Sequence, residues 1–444
     1  MLNYIWLGLV LLAVVIAGCT DRLQVLADQS FEMAEYAVMK TALPLVGIMA
    51  LWLGVMRLAE RSGLISVLAR TLRPLMRWLF PEVPSDHPAM GSMVLNMSAN
   101  ILGLGNAATP LGLRAMRDLE SLNPHPGTAT NAMCTFLAIN TSSIQLIPAT
   151  AIAILAANGS SNPTAIIGTS ILATACGAVA AVLAAKTLQR LRLFRITIPA
   201  VIPVPVSESI AIEDPKTGSA DTAPPAREAP ALDALNWWRK AVLCLFGAFF
   251  VYLFTRLTFP AWSGQTLFVR VVNSVSRLAI PFLLAGFPLY AALRRVKVYE
   301  EFVEGAKEGL EVGLRIIPYL VAILVAIGMF RAAGGIDLLS HALGPFLSLV
   351  GFPPDLLPLA LMRPLSGSGA LGVFTELVKH CGPDNMVSRM GGTVFGSTET
   401  TFYVLAVYFG SVAVKRTRHA ILAGLTADLV AVIASVVVCR LVFR

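Results

Sequence analysis

Charge is what this sequence has least of. Only 14% of its 444 residues are Asp, Glu, Lys or Arg, while 56% are hydrophobic and the mean hydropathy is +0.73. A soluble domain carries about 25% charged residues. Several apolar runs approach the ~20 residues that cross a bilayer. The composition is that of an all-α polytopic membrane protein with the lipid bilayer as its partner. The net charge of +8 needs no nucleic acid, because Lys and Arg collect on the cytoplasmic side of such proteins.

Metal and redox patterns are also missing. The six cysteines (Cys19, Cys134, Cys176, Cys244, Cys381 and Cys439) stand at no metal or redox spacing, and most lie in apolar runs. They read as small core hydrophobes. The five histidines are scattered, with no HExxH and no His/Cys cluster. No GxxxxGK[ST] phosphate loop and no nucleophile–base motif occurs. An enzyme is disfavoured, and no metal or cofactor is expected. Ile16-Ala17-Gly18-Cys19 looks like a lipoprotein cleavage site, but no Lys or Arg precedes Leu7. Without that basic region the segment reads as a retained membrane helix.

What is present is present twice. Leu43-Pro44-Leu45-Val46 runs to Gly54-Val55-Met56-Arg57, and Ile317-Pro318-Tyr319-Leu320 runs to Gly328-Met329-Phe330-Arg331, at the same offsets. In each half an apolar segment then breaks at small polar residues: Gly103 to Gly112 in the first, Ser366 to Gly372 in the second. A polar cluster inside an apolar run closes each unit, Asn140-Thr141-Ser142-Ser143 and then Ser397-Thr398-Glu399-Thr400-Thr401. Interrupted apolar segments at matching places point to a transporter-like site at a repeat interface.

Residues 1–190 form the first expected unit. Residues 191–236, rich in Pro, Ala, Ser, Asp and Glu, cannot bury enough apolar surface to fold alone and read as a cytoplasmic linker. Residues 237–255 read as an additional span, and 256–444 as the second unit. Expected spans include Thr41–Met56, Leu278–Leu293 and Gly313–Phe330. Gly63–Phe80 is amphipathic and suits the membrane interface. Tyr299–Leu310 is a second, separate amphipathic stretch. Ala89–Leu122 and Leu356–Val378 read as re-entrant broken hairpins. Arg57, Arg61, Arg70, Arg73 and Arg77 put the first hairpin's approach inside, as do Arg114 and Arg117 beyond it. Arg294, Arg295, Lys297, Lys415, Arg416 and Arg418 mark further inside loops. The extra span then inverts the second unit, the topology used for alternating access.

Backbone at a helix break must find partners in lipid, where an unpaired group costs several kcal/mol. Thr109-Pro110 is expected as N-cap and N1 of an outgoing half-helix. Asn96 and Asn100 share a helix face, with Asn106 nearby. Ser366 and Ser368 flank the second break, and Gly367 and Gly369 permit close approach. The competing explanation for these small residues is helix packing. Glu399 is the sharpest candidate, a carboxylate in an otherwise uncharged run from Val394 to Val407. Such a group is a functional hypothesis by default. It would bind solute or carry a coupling ion, or else form a structural ion pair with Arg363. The candidate solute-binding set is Asn96, Asn100, Asn106, Thr109, Asn140, Thr141, Ser142, Ser366, Ser368, Ser397, Thr398, Glu399 and Thr400.

The run from Asn96 to Gly112, with Asn131 to Ser143, resembles spore maturation protein A. The run from Met362 to Gly372, with Gly396 to Tyr403, resembles spore maturation protein B. The first resemblance covers about residues 1–190 and the second about 270–444, as if the two were fused. This implies the nucleoside-recognition (Gate) group, whose relatives include concentrative nucleoside transporters and the membrane part of ferrous-iron transporter B. The expectation is a multi-pass bacterial inner-membrane protein that moves a small polar solute, nucleoside-like in class. The alternative is a non-transporting scaffold for envelope or spore maturation partners. Either is compatible with a homo-oligomer. A scaffold should tolerate Glu399→Gln, and a transporter should not.

Overall fold

The computed structural model describes residues 2–103, 105–191, 194, 236–259, 265–335, 338 and 351–443. The expected linker falls almost wholly outside them. The described residues form helices joined by turns, with no strand and one isolated bridge between Thr128 and Arg416.

Helix α1 (Leu2–Cys19) is followed by α2 (Leu23–Glu35), which runs through seven π-helical residues, Tyr36–Ala42, into α3 (Leu43–Arg61). The expected span Thr41–Met56 is therefore the middle of a 39-residue rod. Pro44 does not break it, because it sits in the first turn of α3, beside a π segment that already relaxes the hydrogen-bond ladder. Gly63, at φ 76°, turns the chain into the amphipathic α4 (Leu64–Leu79). A helical hairpin follows, α5 (Pro88–Ile101) and α6 (Gly105–Glu120). Then come α7 (Asn131–Thr141), α8 (Ala149–Ala157) and α9 (Ile166–Leu188).

The second half begins with α10 (Trp237–Thr258) and α11 (Leu267–Leu293). Helix α11 is longer than the expected span and takes in Arg270 and Arg277. Helix α12 (Val298–Ala332) unites the stretches Tyr299–Leu310 and Gly313–Phe330, which the sequence presents as separate. No turn residue intervenes, since Gly313 serves packing and does not stop the helix. A short α13 (Leu357–Met362) and α14 (Gly367–Cys381) make a second hairpin. Last come α15 (Met386–Ser397), α16 (Thr401–Gly410) and α17 (Ala420–Val442). Among the described residues, six helical stretches are long and apolar enough to cross a membrane. One of these is α10, which lies at the periphery with its Phe246 and Phe250 against Phe282 of α11 at 5.6 and 5.1 Å.

Two antiparallel crossings organise the molecule. On α12, Gly305, Gly309 and Gly313 recur at every fourth residue and face α3. A Cβ on Gly309 would stand 2.5 Å from the Ala50 Cα, and one on Gly305 2.6 Å from the Leu53 carbonyl oxygen. Only glycine lets the two backbones approach this closely, the small-residue device of helix pairs in membranes. The contact is reciprocal. Gly54 of α3 meets Phe302 near the start of α12, and Gly328 of α12 meets Met33 in α2. Helix α1 packs on α12, and α11 packs on α3. The second crossing sets α9 against α17, with Gly177 on Ala427 and Ala431.

Charge gathers at the two ends. At one, Arg57 and Arg61 bind Glu301 at 2.8 and 3.2 Å, and Arg57 also binds Glu308. The loops 121–130 and 411–419 meet at a different point, through Ala129 N–H to the Arg416 carbonyl at 3.0 Å. At the other end of the long-helix pair, Arg331 binds Glu376 at 2.5 Å and Asp355 at 3.6 Å, and Lys379 binds Glu32 at 2.8 Å. In the turn after α14, Asp384 accepts from the Ser160 hydroxyl at 2.7 Å and the Ser161 N–H at 2.9 Å.

Gly309→Leu forces α3 and α12 apart and should cost about 2 kcal/mol or more, read as a lower melting temperature and loss of monodispersity in detergent. The hydrogen bonds from Ser160 and then Ser161 hold the Asp384 carboxyl down at about 2. Its stabilisation is therefore present above the unfolded value of about 3.9 and fades as pH falls toward 2. Asp384→Asn should lower thermal stability at neutral pH, and its difference from wild type should shrink below about pH 4.

Candidate functional site

Two helices are interrupted where they face each other. Between α7 and α8 the chain leaves the helix at Ser142 and resumes at Ala149. Ser143 has φ 44° there, a left-handed conformation that costs a non-glycine residue energy. Between α15 and α16 the break spans Thr398–Thr400, with Thr398 extended at φ −129°, ψ 159°.

The freed backbone groups find partners in protein. The Thr174 hydroxyl of α9 is shared between the Ser142 and Ser143 carbonyls at 2.7 and 2.8 Å. The Leu146 N–H reaches the Ile101 carbonyl at the end of α5 at 3.0 Å, and the Phe402 N–H reaches the Pro364 carbonyl between α13 and α14 at 3.1 Å. Each break is thus tied to the hairpin that precedes it. The breaks are also tied to each other, by the Glu399 N–H on the Thr141 carbonyl at 3.0 Å. Buried Arg363 clamps the second break. Its Nε donates to Thr398 Oγ1 at 2.8 Å, its Nη2 donates to the Thr398 carbonyl, and its guanidinium lies 4.5 Å over the Phe395 ring.

That clamp stands in place of the ion pair with Glu399 that was the alternative to a solute or coupling role. No described residue makes an ion pair or hydrogen bond with the Glu399 carboxylate. Arg363 is spent on backbone, and it feels Glu399 and Asp428 only through their fields. Asp428 of α17 is buried and accepts from Thr401 at 2.5 Å, while its second oxygen has no partner among the described residues.

Glu399 lines two polar cavities. The larger, of 300 Å³, also takes Ser143, Gln145, Thr150, Arg363 and Ser368 into its wall. The N-terminal turns of α8 and α14, through Thr150 and Gly367, open onto it. Their free N–H groups favour negative or hydrogen-bond-accepting atoms. The smaller cavity, of 110 Å³, is lined by Asn100, Thr109, Asn140, Tyr403 and Tyr408 as well as Gln145 and Glu399. A third, of 190 Å³, reaches Arg57, Glu60 and Glu308. Gln145 lines all three. The two cavities at Glu399 offer amides, hydroxyls, one carboxylate and one guanidinium, which suits a neutral or zwitterionic polar solute.

The candidates divide by role. Asn100, Thr109, Asn140, Arg363, Ser368 and Glu399 line cavities. Asn96 is buried and holds the hairpin, its Nδ2 donating to the Ala108 carbonyl at 2.7 Å. Thr141 and Ser142 supply backbone acceptors at the first break. Ser366 caps α14 through the Gly369 N–H at 3.0 Å. Ser397 contacts Ser435 at 3.2 Å, Thr398 is held by Arg363, and Thr400 lies 3.1 Å from where a Gly367 Cβ would stand. Asn106 has its side chain outside the described residues. Thr109-Pro110 is not a helix start, because α6 begins at Gly105 and Pro110 lies inside it.

Sequence reasoning missed Gln145, Tyr403, Tyr408 and Asp428. Gln145 follows the Asn140–Ser143 cluster at two residues, and Asp428 is the one charged residue between His419 and Arg440 in an apolar run, signals that could have found them. Tyr408 had none. It reaches the site by stacking on Phe136 at 6.1 Å and by its hydroxyl's contacts with Asn96 at 3.4 Å and Asn140 at 3.5 Å.

Membrane-crossing helices around a cavity built at two helix breaks make this a multi-pass membrane protein with an internal polar site. Its sequence matches the family model described as nucleoside recognition (Gate) over residues 42–190 and 313–415. That is more than half of the chain, and the chain belongs to this family. Over 175 residues it is 46% identical to spore maturation protein B of Bacillus subtilis (strain 168), covering 39% of this chain and 98% of that protein. Over 183 residues it is 44% identical to spore maturation protein A of the same organism, covering 41% of this chain and 93% of that protein. No solved structure matches the chain.

Arg363→Gln leaves the Thr398 carbonyl without its charged donor and should cost about 3 kcal/mol. Arg363→Lys keeps the charge but loses the planar fork and should restore only part of the melting temperature. Thermal unfolding of both variants in one detergent checks this ordering.

Proposed function

We propose that this protein is a transporter of the bacterial inner membrane that moves a small polar solute, nucleoside-like in class, by alternating access. The observation that carries the reading is Glu399, an unpaired carboxylate on the wall of two polar cavities at a helix break. A carboxylate at membrane depth is expensive and is retained for binding or coupling. No catalytic step belongs to this reading.

Residues 1–190 and 256–444 act as two units of inverted topology, joined by the linker 191–236 and the additional span 237–255. Each carries a re-entrant hairpin. Several contacts support the inversion. Gly54 on Phe302 mirrors Gly328 on Met33. Ile101 with Leu146 mirrors Pro364 with Phe402. Arg57 and Arg331, equivalent in the repeat, bind acids at opposite ends of the α3–α12 pair. The base of the first hairpin lies with loop 411–419, and that of the second with loop 158–162. The cavity at Arg57, Glu60 and Glu308 would lead through Gln145 to Glu399 from the cytoplasmic side. The nucleoside-like class rests on the family's description, and the bacterial membrane on the Bacillus relatives.

The competing reading, a scaffold for envelope or spore maturation, draws on the names of those relatives. A thermal-shift screen of the purified protein against nucleosides, nucleobases, small carboxylates and divalent cations separates the two. A ligand at ~100 times its Kd should stabilise the protein by about 2.7 kcal/mol. The expected result is a shift for one class in wild type that Glu399→Gln abolishes. Equal shifts in both proteins, or complementation by Glu399→Gln at normal membrane levels, would favour the scaffold.

A further inference from the structure

A fourth cavity differs in kind from the three polar ones. It is a groove of 360 Å³ between α4 and α9, and every lining group is apolar. Leu72, Leu75, Met76 and Leu79 of α4 form one wall, and Val179, Val182 and Leu183 of α9 the other. Its lips face outward, with Trp78 74% exposed, Leu183 60% and Val179 59%. Its floor includes Ile101, the last residue of α5, and Ile144, in the break between α7 and α8.

The polar side of α4 is basic. Arg70, Arg73 and Arg77 lie at i, i+3 and i+7, one face of the helix. Arg73 and Arg77 stand one residue, about 100°, beyond Leu72 and Met76. All three are exposed. Arg73 donates to the Ser85 carbonyl at 3.2 Å. Arg70 and Arg77 make no hydrogen bond or ion pair with any described residue. An apolar groove edged by guanidinium groups matches one kind of molecule, a chain of methylenes bearing a phosphate. The arginines also mark the cytoplasmic side, the side whose leaflet attracts basic residues through its anionic lipid.

We propose that the α4–α9 groove is a binding site for an anionic phospholipid, with one acyl chain in the groove and the headgroup phosphate on Arg70, Arg73 and Arg77. The guanidinium fork suits phosphate. The acyl chain would lie on Ile144, the neighbour of Ser143 and Gln145, whose side chains line the polar cavities. The lipid would therefore brace one face of the break that forms the solute site on its other face. The site does not depend on what the protein transports.

The test uses the full chain, stripped of lipid in detergent and then titrated with phosphatidylglycerol or phosphatidylcholine under native mass spectrometry. Wild type should retain one phosphatidylglycerol in preference to phosphatidylcholine, and salt should weaken the preference. The triple variant Arg70→Gln, Arg73→Gln, Arg77→Gln should lose that preference about tenfold or more while still accepting either lipid. Ala178→Phe, which fills the groove, should lose the retained lipid of both kinds. All of the arginines are on the surface, so the triple variant should keep the wild-type melting temperature in detergent. Unchanged preference in the triple variant, or unchanged retention in Ala178→Phe, would overturn the proposal. So would equal retention of the two lipids by wild type.

Discussion

The polar cavities of this molecule depend on how two breaks in apolar helices are satisfied. A helix that stops inside lipid leaves donors and acceptors that water cannot reach, and each costs several kcal/mol unpaired. Here the breaks answer one another. The Glu399 N–H takes the Thr141 carbonyl, and the Leu146 and Phe402 N–H groups take carbonyls at the tips of the two hairpins. Thr174 and Arg363 meet three of the remaining carbonyls. With the backbone spoken for, the side chains of Gln145, Ser368 and Glu399 are left to face the cavities. The polar site is what remains after the breaks have been paid for in hydrogen bonds.

The close helix crossings hold those breaks in register. Gly305, Gly309 and Gly313 let α12 sink onto α3, and the pairing of Arg57 and Arg61 with Glu301 pins one end of that contact, while Arg331 near the far end of α12 pairs with Glu376 of α14. Neither device would be enough alone. Lipid supplies no hydrophobic drive between helices, so packing and polar contacts must do the associating. Ion pairs with one partly exposed member are individually weak. The pairs of Arg57 and Arg61 with Glu301 join α3 to α12 directly and resist sliding along their glycine-lined crossing.

Much of this arrangement was legible in the residues. The repeated Pro44 and Pro318, the paired glycines and Arg57 with Arg331 all fall at the α3–α12 pair. The polar clusters after Asn140 and Ser397 coincide with the observed breaks. Most of what was illegible was settled by contacts distant in sequence. Gly313 read as a boundary because its partner, Val46, lies in the other half. Thr109-Pro110 read as a helix start on local rules, yet α6 begins earlier, at Gly105. Tyr408 carried no signal because its neighbours Asn96, Phe136 and Asn140 belong to the first half.

The same distance effect decides how Glu399 should be read. From sequence, Arg363 was its candidate counter-ion in the alternative reading, lying just before the break at Ser366–Gly369. In the structure Arg363 is committed to the Thr398 carbonyl and hydroxyl and to the Phe395 ring. The guanidinium therefore neutralises backbone dipoles and moderates two carboxylates, Glu399 and Asp428, at longer range. Of these two carboxylates Glu399 is the one that lines the cavities, while Asp428 is buried behind Thr401.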